Sequence, residues 1–343
     1  MPSDYPKMQT IKYFGNKTRL LDFIIPLIEH ESKPGDLVID LFAGTCSVSY
    51  ALKQNYRIIT NDVEAYSKVI ASALIENNTS IDTKIAHEDL DSFLQTNLPA
   101  RYTLFEKTYA DTFFTKKQSR DIDSIRFAID KQKGYKKQLY LVALMTAMSY
   151  CTNSPGHFAE YLKNNEYSKD RSIMDYFFAR CNTLKLIDGN YTNKAYSYEY
   201  KEFFNRNRKL ISKARIIYAD PPYSSAHYSR YYHLLNTLIK YDWPKVSYKA
   251  RYRDDRFLSN FSRKSKVKDE FEALFDLCSS KSNATLFLSY LNGGKGLLNK
   301  NELLNIAKSY YPRVSIKIYK NYKHSMNGNG SPKVVEEVLL ICK

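Results

Sequence analysis

The chain has 343 residues, enough for one large α/β domain with an inserted module or for two ordinary domains. Its apolar content of 43% and charged content of 26% exclude a disordered chain or a rod. Lysine and arginine outnumber aspartate and glutamate by 52 to 36, a formal charge of +16, and 30 tyrosines are spread among the cations. Cations with stacking rings suit a nucleic acid better than a membrane surface.

Cys46, Cys151, Cys181, Cys278 and Cys342 are far apart and odd in number. That argues against a disulfide framework or a zinc cluster and points to a reducing compartment. The longest apolar run, "LYLVALMTAM" at 139–148, is too short to span a bilayer, and the N-terminus lacks a signal-peptide hydrophobic region. The expectation is a cytoplasmic protein without a membrane partner.

Along the chain, "TRLLDFIIPLIEH" at 18–30 has helical apolar spacing, with Thr18 or Asn16 placed to cap it. "KPGDLVIDLFAGTCSVSYALKQ" reads as turn, buried strand, small-residue loop and helix. "YRIITND" is a second strand ending at Asp62, followed by a helix through about Asn77. This βαβ opening predicts a parallel sheet covered by helices. From about residue 80 the pattern becomes helical, as in "KKQSRDIDSIRFAIDKQ" and "KKQLYLVALMTAMSYC". The alternation resumes at "AYSYEYKEFF", "ARIIYADPPY" and "ATLFLSYLNGG". It closes with "VSIKIYK" and "VVEEVLLIC", joined as a hairpin through "NYKHSMNGNGSP". The chain therefore divides into an α/β domain, 1–80 and 196–343, and a mainly helical insert, 81–195.

In an open parallel sheet, ligands bind beyond the carboxyl ends of the strands. The first such exit is "DLFAGTCS" at 40–47, whose small residues let backbone approach a ligand or simply make a strand-to-helix turn; the three-glycine dinucleotide fingerprint is absent. Asp62, at the end of the second strand, favours the ligand reading, since a carboxylate there accepts from both hydroxyls of a ribose. The second exit is "DPPY" at 220–223. Two prolines stop the strand and fix the loop. Asp220 and the Pro221 carbonyl can then accept from one exocyclic NH2 group, and Tyr223 offers a flat ring. Adenine and cytosine both carry such an amine.

These motifs resemble the S-adenosylmethionine-dependent, amino-group-specific DNA methyltransferases, in particular the adenine-specific class of restriction-modification systems. "DPPY" looks like that family's catalytic motif, "DLFAGTCSV" at 40–48 like its glycine loop and "KYFGNKTRLL" at 12–21 like its N-terminal cofactor motif. Their order resembles the subgroup whose target-recognition domain lies between the glycine loop and "DPPY". Likeness extends into "SRDIDSIRFAI", "NSPGHFAEYLK" and "HYSRYYHLLNTLIKYD", so it covers most of the chain. The N-terminal motif departs from the family at Tyr13, where Trp is common, and at "GNK", where Gly-Gly-Lys is.

The resemblance implies a Rossmann-like methyltransferase sheet, mostly parallel with a C-terminal antiparallel hairpin, and a target-recognition insert. It places Tyr13 and Lys17 along the cofactor, Asp40, Phe42, Ala43 and Gly44 around its methionine part, and Asp62 on the ribose. Asp220, Pro221, Pro222 and Tyr223 would hold an adenine flipped out of double-stranded DNA, with Asp220 also beside the cofactor. Glu199 or Glu202 would meet the cofactor's adenine. A separately encoded restriction endonuclease is the implied partner in the cell. A catalytically silent DNA-binding relative would show a broken loop or motif, and both are intact here.

For the DNA itself, the stretch 245–268 is rich in cations, among them Lys249, Arg251, Arg253, Arg256, Arg263 and Lys264, and follows the catalytic segment; these are the expected phosphate contacts. "FFTKKQSR" and "CTNSPGHFAEYLK" in the insert carry side chains suited to base edges. His157, His227, His233 and His324 lack ligand spacing, so no metal is expected and packing or DNA contact is their reading.

Overall fold

The runs "LVID" and "IIYA" form strands because each is apolar enough to be covered on both faces. The structure is a computed structural model that describes residues 5–8, 10–78, 86–94, 97–163, 170–184, 186–292, 296–323 and 334–343. Strands β1 (Leu37–Asp40), β2 (Arg57–Asn61), β3 (Lys194–Tyr196) and β4 (Ile216–Ala219) come first. A small hairpin, β5 (Val246–Ser247) and β6 (Tyr252–Arg253), precedes β7 (Thr285–Asn292), β8 (Val314–Lys323) and β9 (Val334–Cys342). Both β1 and β4 are buried at every position.

Seven strands make one sheet in the order β3-β2-β1-β4-β7-β9-β8. Pairing is parallel from β3 to β7, while β9 runs antiparallel to both β7 and β8. This is the expected mostly parallel sheet with an antiparallel C-terminal hairpin. Residues 324–333, with His324, lie outside the described residues. Strand order reverses at β1, which has β2 on one side and β4 on the other, with Asp40 opposite Tyr218. That reversal leaves a crevice where the carboxyl ends of β1 and β4 meet.

Fourteen α-helical segments are described. In the first half they are α1 (Leu21–Glu31), α2 (Ser47–Leu52), α3 (Ala65–Ala71), α4 (Ala86–Leu90), α5 (Leu104–Tyr109), α6 (Lys116–Ile129) and α7 (Gly134–Cys151). The others are α8 (Ile173–Thr183), α9 (Tyr200–Arg206), α10 (Arg208–Ile211), α11 (Tyr228–Tyr231), α12 (His233–Lys240), α13 (Val267–Lys281) and α14 (Lys300–Lys308). Helix α1 buries Leu21, Ile24, Ile25 and Ile28, an i, i+3, i+4, i+7 stripe, and leaves Pro26 exposed. Asn16, one of the two expected caps, accepts from the Thr18 amide at 2.7 Å, starting the 3-10 turn Lys17–Leu20 that leads into α1.

The segment 86–184 is helical as expected. Its central helix, α7, is buried continuously from Leu139 to Ser149 and packs on α6, α8, α3 and the π-helical turn Ser72–Glu76 that continues α3. The helical segment and the sheet therefore share one apolar core. Lys53 fastens the chain's return to the sheet: its buried ammonium donates to the carbonyls of Leu74 at 2.9 Å and Ile187 at 2.8 Å. Among the described residues no helix is long and apolar enough to cross a membrane, and all five cysteines are buried.

Candidate active site at the strand ends

The crevice holds a cavity of about 290 Å³ lined by the N-terminal stretch Tyr13–Lys17, the turn after β1, the end of β2 and the loop after β4, with further residues from 198–201 and 257–261. That volume is near the lower end of the roughly 300–1,000 Å³ typical of ligand pockets.

Asp40 closes β1 and is 2% exposed. Its Oδ2 accepts from the Ser49 hydroxyl at 2.6 Å, while Oδ1 is buried without a donor. Burial pushes its carboxyl up to about 7; the Ser49 hydrogen bond opposes this, and the charges of Asp220 and Asp62 reinforce it. A buried acceptor of this kind fits a ligand ammonium.

After Asp40 the chain turns through Phe42, Ala43 and Gly44, all at the cavity. The Ala43 amide donates to the Asn61 carbonyl at 3.0 Å, tying this turn to the end of β2. Gly44 has φ +52°, and a Cβ there would stand 3.2 Å from the Tyr13 ring, so the turn needs a residue without a side chain. Asp62 bridges the two exits, its Oδ2 accepting from the Gly44 amide at 2.8 Å and its Oδ1 from the Glu64 amide at 2.9 Å. Burial raises its carboxyl, against those amides.

Tyr13 stacks on Tyr232 with ring centroids 4.6 Å apart and lies across the cavity wall. Lys17 is not a solvated lysine at a helix start: it is 4% exposed, and its ammonium meets Asp220 Oδ2 at 2.7 Å, the Gly15 carbonyl at 3.1 Å and Glu337 Oε1 at 3.5 Å. Burial alone would favour the neutral amine. The adjacent Asp220 and Glu337 outweigh it and hold the ammonium well above the usual lysine range.

Asp220 follows β4 and sits beside β1 because those strands pair. Its side chain is 18% exposed, and Oδ1 is buried with no hydrogen-bond partner. Burial pushes the carboxyl up to about 6, Lys17 pulling it down and Glu337 pushing it further up. Pro222 lines the cavity and Pro221 is buried. Tyr223 is placed differently from its expected role. It is 3% exposed, with its ring edge-to-face on Tyr290 at 6.1 Å and the Lys17 ammonium 6.0 Å from its centre, so it turns no open face to the cavity. The tyrosines that line the cavity on this side are Tyr218 and Tyr228.

Of the two glutamates considered for the far end, Glu199 lines the cavity and Glu202 is exposed and paired with Arg206 at 2.7 Å. Sequence reasoning missed Glu337, Glu64, Tyr228 and the stretch Phe257–Phe261, all at or against the site. Glu337 had a signal, an acid within the apolar run "VVEEVLLIC", and it is 1% exposed on β9. Glu64 is buried against the Asn236 amide, its carboxyl pushed up to about 7 by burial.

The expected phosphate contacts separate into three groups. Lys249, Arg263 and Lys264 are exposed. Arg251 and Arg256 are half-buried and spend donors on the carbonyls of Thr108 and Arg253. Arg253 is a correction: it is 2% exposed, and its guanidinium forks onto Asp242 at 2.6 and 2.8 Å and onto Asp255 at 2.9 and 2.8 Å. Two carboxylates take its donors, so it is a structural clamp and reaches no phosphate.

Of the histidines, His157 and His233 pack as expected, while His227 lines the cavity. His233 is buried on the Phe158 carbonyl at 2.9 Å, burial pushing its pKa down to about 3, and His157 lies between Phe14 and Tyr231. Asn153 and Ser154 of the insert are also buried.

The sheet order and its antiparallel last strand define a Rossmann-like α/β fold. Sequence comparison then specifies the family: residues 13–306 match the D12 class N6 adenine-specific DNA methyltransferases, and the chain belongs to that S-adenosylmethionine-dependent family. It is 28% identical over 368 residues to modification methylase LlaI of Lactococcus lactis subsp. lactis, with 97% of this chain and 55% of the relative covered. It is 28% identical to the type II methyltransferase M.FokI of Planomicrobium okeanokoites, over 90% of this chain and 48% of the relative. Identity is also 28% to the type II methyltransferase M.CviAII of Paramecium bursaria Chlorella virus 1, over 97% of this chain and 98% of the relative. The chain thus spans about half the length of the first two relatives and nearly all of the third.

Proposed function

We propose that the protein transfers a methyl group from S-adenosylmethionine to the exocyclic amine of adenine in duplex DNA, at a specific site, as the modification activity of a restriction system. The observation that carries this reading is the buried, unpartnered Oδ1 of Asp220, set across the crevice from the equally unpartnered Oδ1 of Asp40. One acceptor suits a base amine and the other suits the ammonium of an amino-acid moiety.

In this reading Asp40 holds that ammonium, Phe42, Ala43 and Gly44 let the backbone approach, and Tyr13 and Lys17 flank the cofactor. Asp62 takes the ribose hydroxyls and Glu199 faces the adenine end. S-adenosylmethionine supplies a methyl group already activated on a sulfonium. Catalysis is then chiefly a matter of aiming an amine lone pair and managing its developing positive charge. Asp220 and the Pro221 carbonyl accept from the amine, and the carboxylate stabilises that charge and takes the proton the nitrogen loses. A base inside a duplex cannot reach this acceptor, so it is flipped out into the loop of Asp220, Pro221, Pro222 and Tyr223. Stacking by Tyr223 requires its ring to swing from Tyr290 towards the cavity.

Residues 81–195 are assigned to target recognition, and Lys249, Arg263 and Lys264 to phosphates. Incubating the protein with labelled cofactor and mixed-sequence DNA, followed by nucleoside analysis, tests the proposal. N6-methyladenine is expected. Absence of any methylated base overturns the activity, and methylation of the cytosine amine overturns the base assignment. Mapping the modified bases in DNA from cells expressing the protein gives the recognition sequence. A separately encoded endonuclease cutting that sequence, in the same cytoplasm, would complete the system.

A further inference from the structure

Six non-glycine residues among those described have left-handed backbone conformations, and four of them, Tyr241, Trp243, Tyr248 and Arg251, fall in one short stretch. Bulky residues avoid this region for steric reasons, and such strain persists only where the surroundings enforce it. Tyr241 ends helix α12 and is accounted for as its cap. Tyr248, at φ +64°, has no such account. It stands at the turn of the β5–β6 hairpin and is 78% exposed, more than any other large hydrophobic described.

The rest of the hairpin is fixed. Arg253 clamps its base to Asp242 and Asp255, and the Asp254 amide donates to the Lys245 carbonyl at 3.0 Å. The Tyr109 hydroxyl donates to the Arg251 carbonyl at 3.3 Å, and the Tyr252 hydroxyl, which donates to Ala159, accepts from Arg230 Nε at 3.0 Å. Arg230 belongs to α11, just after the catalytic loop. Tyr252 in turn lies under the guanidinium groups of Arg230 and Arg256, and the Tyr248 ring is 6.1 Å from it. The scaffold therefore holds one aromatic ring out into solvent on a hairpin whose Tyr252 is tied to Arg230, the neighbour in sequence of the cavity-lining Ser229. Phe257 and Leu258, which line the cavity, are also 38% and 41% exposed, and Lys249, Arg263 and Lys264, from the same stretch of chain, are exposed.

We propose that the 246–253 hairpin is a duplex-DNA probe. The Tyr248 ring stacks on bases at the step beside the extruded adenine, and Lys249 contacts the flanking phosphate. This rests on the DNA substrate proposed above. An exposed ring backed by cations suits a partner with both a phosphate backbone and flat bases, and an aromatic wedge at an opened step supports the bend and vacancy that flipping creates.

Trp243 is the sole tryptophan, so a Trp243→Phe/Tyr248→Trp variant carries one indole, at the hairpin tip. Position 248 is exposed, so the substitution should leave the fold intact; circular dichroism checks this. Mixed-sequence duplex DNA is expected to quench that fluorescence, and heparin, a polyanion without bases, is not. Binding of DNA by anisotropy without quenching, or equal quenching by heparin, overturns the inference. Failure to bind DNA at all overturns the substrate reading itself. In parallel, Tyr248→Ala is expected to lower methylation of duplex DNA on the order of tenfold, while Tyr248→Phe, which keeps the ring, stays close to the parent. Parent-like turnover by Tyr248→Ala overturns the wedge role.

Discussion

The strand-end cavity and the rim from residue 241 to 264 treat charge and apolar surface in opposite ways. In the cavity, charges are buried: Lys17 stands between Asp220 and Glu337, and Oδ1 of Asp40 and of Asp220, the Tyr218 hydroxyl and His227 Nδ1 are left unpartnered. On the rim, rings and cations are exposed, and the backbone accepts unfavourable angles to present them. Compensation at the centre leaves fixed acceptors for a small ligand. Exposure at the edge leaves surface for a large one.

The sharpest break of this contrast is Asp220→Ala. It is expected to lower methyl transfer by about 10²–10³-fold or more while mixed-sequence DNA binding persists in gel-shift titrations. Turnover that survives would remove Asp220 from the chemistry. The same carboxylate sets an acid limit. It must be ionised to accept the amine, and its pKa is pushed up to about 6, so kcat should fall as pH drops through about 6. An ordinary aspartate would hold out to about pH 4. Glu337→Gln removes a like charge beside it, alongside Lys17, Asp40, Tyr218, Tyr223 and Tyr228, and should move that fall to lower pH. An unmoved profile would exclude Glu337 from the charge network.

Next in size is Lys17→Met, which strands two carboxylates beside each other. A stability loss of about 3–5 kcal/mol by urea denaturation is expected, as for removal of one partner from a buried pair; a loss below about 1 kcal/mol would mean that the cavity's charges do not depend on compensation. A finer contrast compares two rim arginines. Arg253→Ala should cost about 1–2 kcal/mol, moderated because Asp242 and Asp255 are 43% and 54% exposed. Arg263→Ala should leave stability alone and reduce the salt dependence of DNA binding by about one ion. If Arg253 instead behaved like Arg263, the clamp would be wrong. Smallest is Tyr248→Asn, since Asn tolerates the left-handed region: melting should rise by the equivalent of about 1 kcal/mol as DNA affinity falls.

Much of the site was legible because strands buried on both faces read as uninterrupted apolar runs, and their exits are marked by abrupt changes of residue type. "LVID" gives way to "LFAGT" and "IIYA" to "DPPY", and both exits line the cavity. Arg253 was misread because charge counting cannot separate a cation spent on neighbouring carboxylates from one left for solvent. Both of its partners are near in sequence, yet only the fold of β5 onto β6 brings Asp242 and Asp255 to one guanidinium. The packing of Tyr223 was not legible because nothing local to "DPPY" says that Tyr290, on β7, will stand against its ring.

The sequence by itself determined the parallel strands, the glycine turn, the acid after β2 and the rigid loop after β4, since each follows from local apolar pattern and backbone restriction. Tertiary structure alone decided that Asp40 and Asp220, 180 residues apart, share one crevice, because β1 pairs with β4 where the strand order reverses. It also decided that Glu337 reaches Lys17 from the last strand. Contacts between distant segments depend on sheet order, which no single stretch of chain encodes.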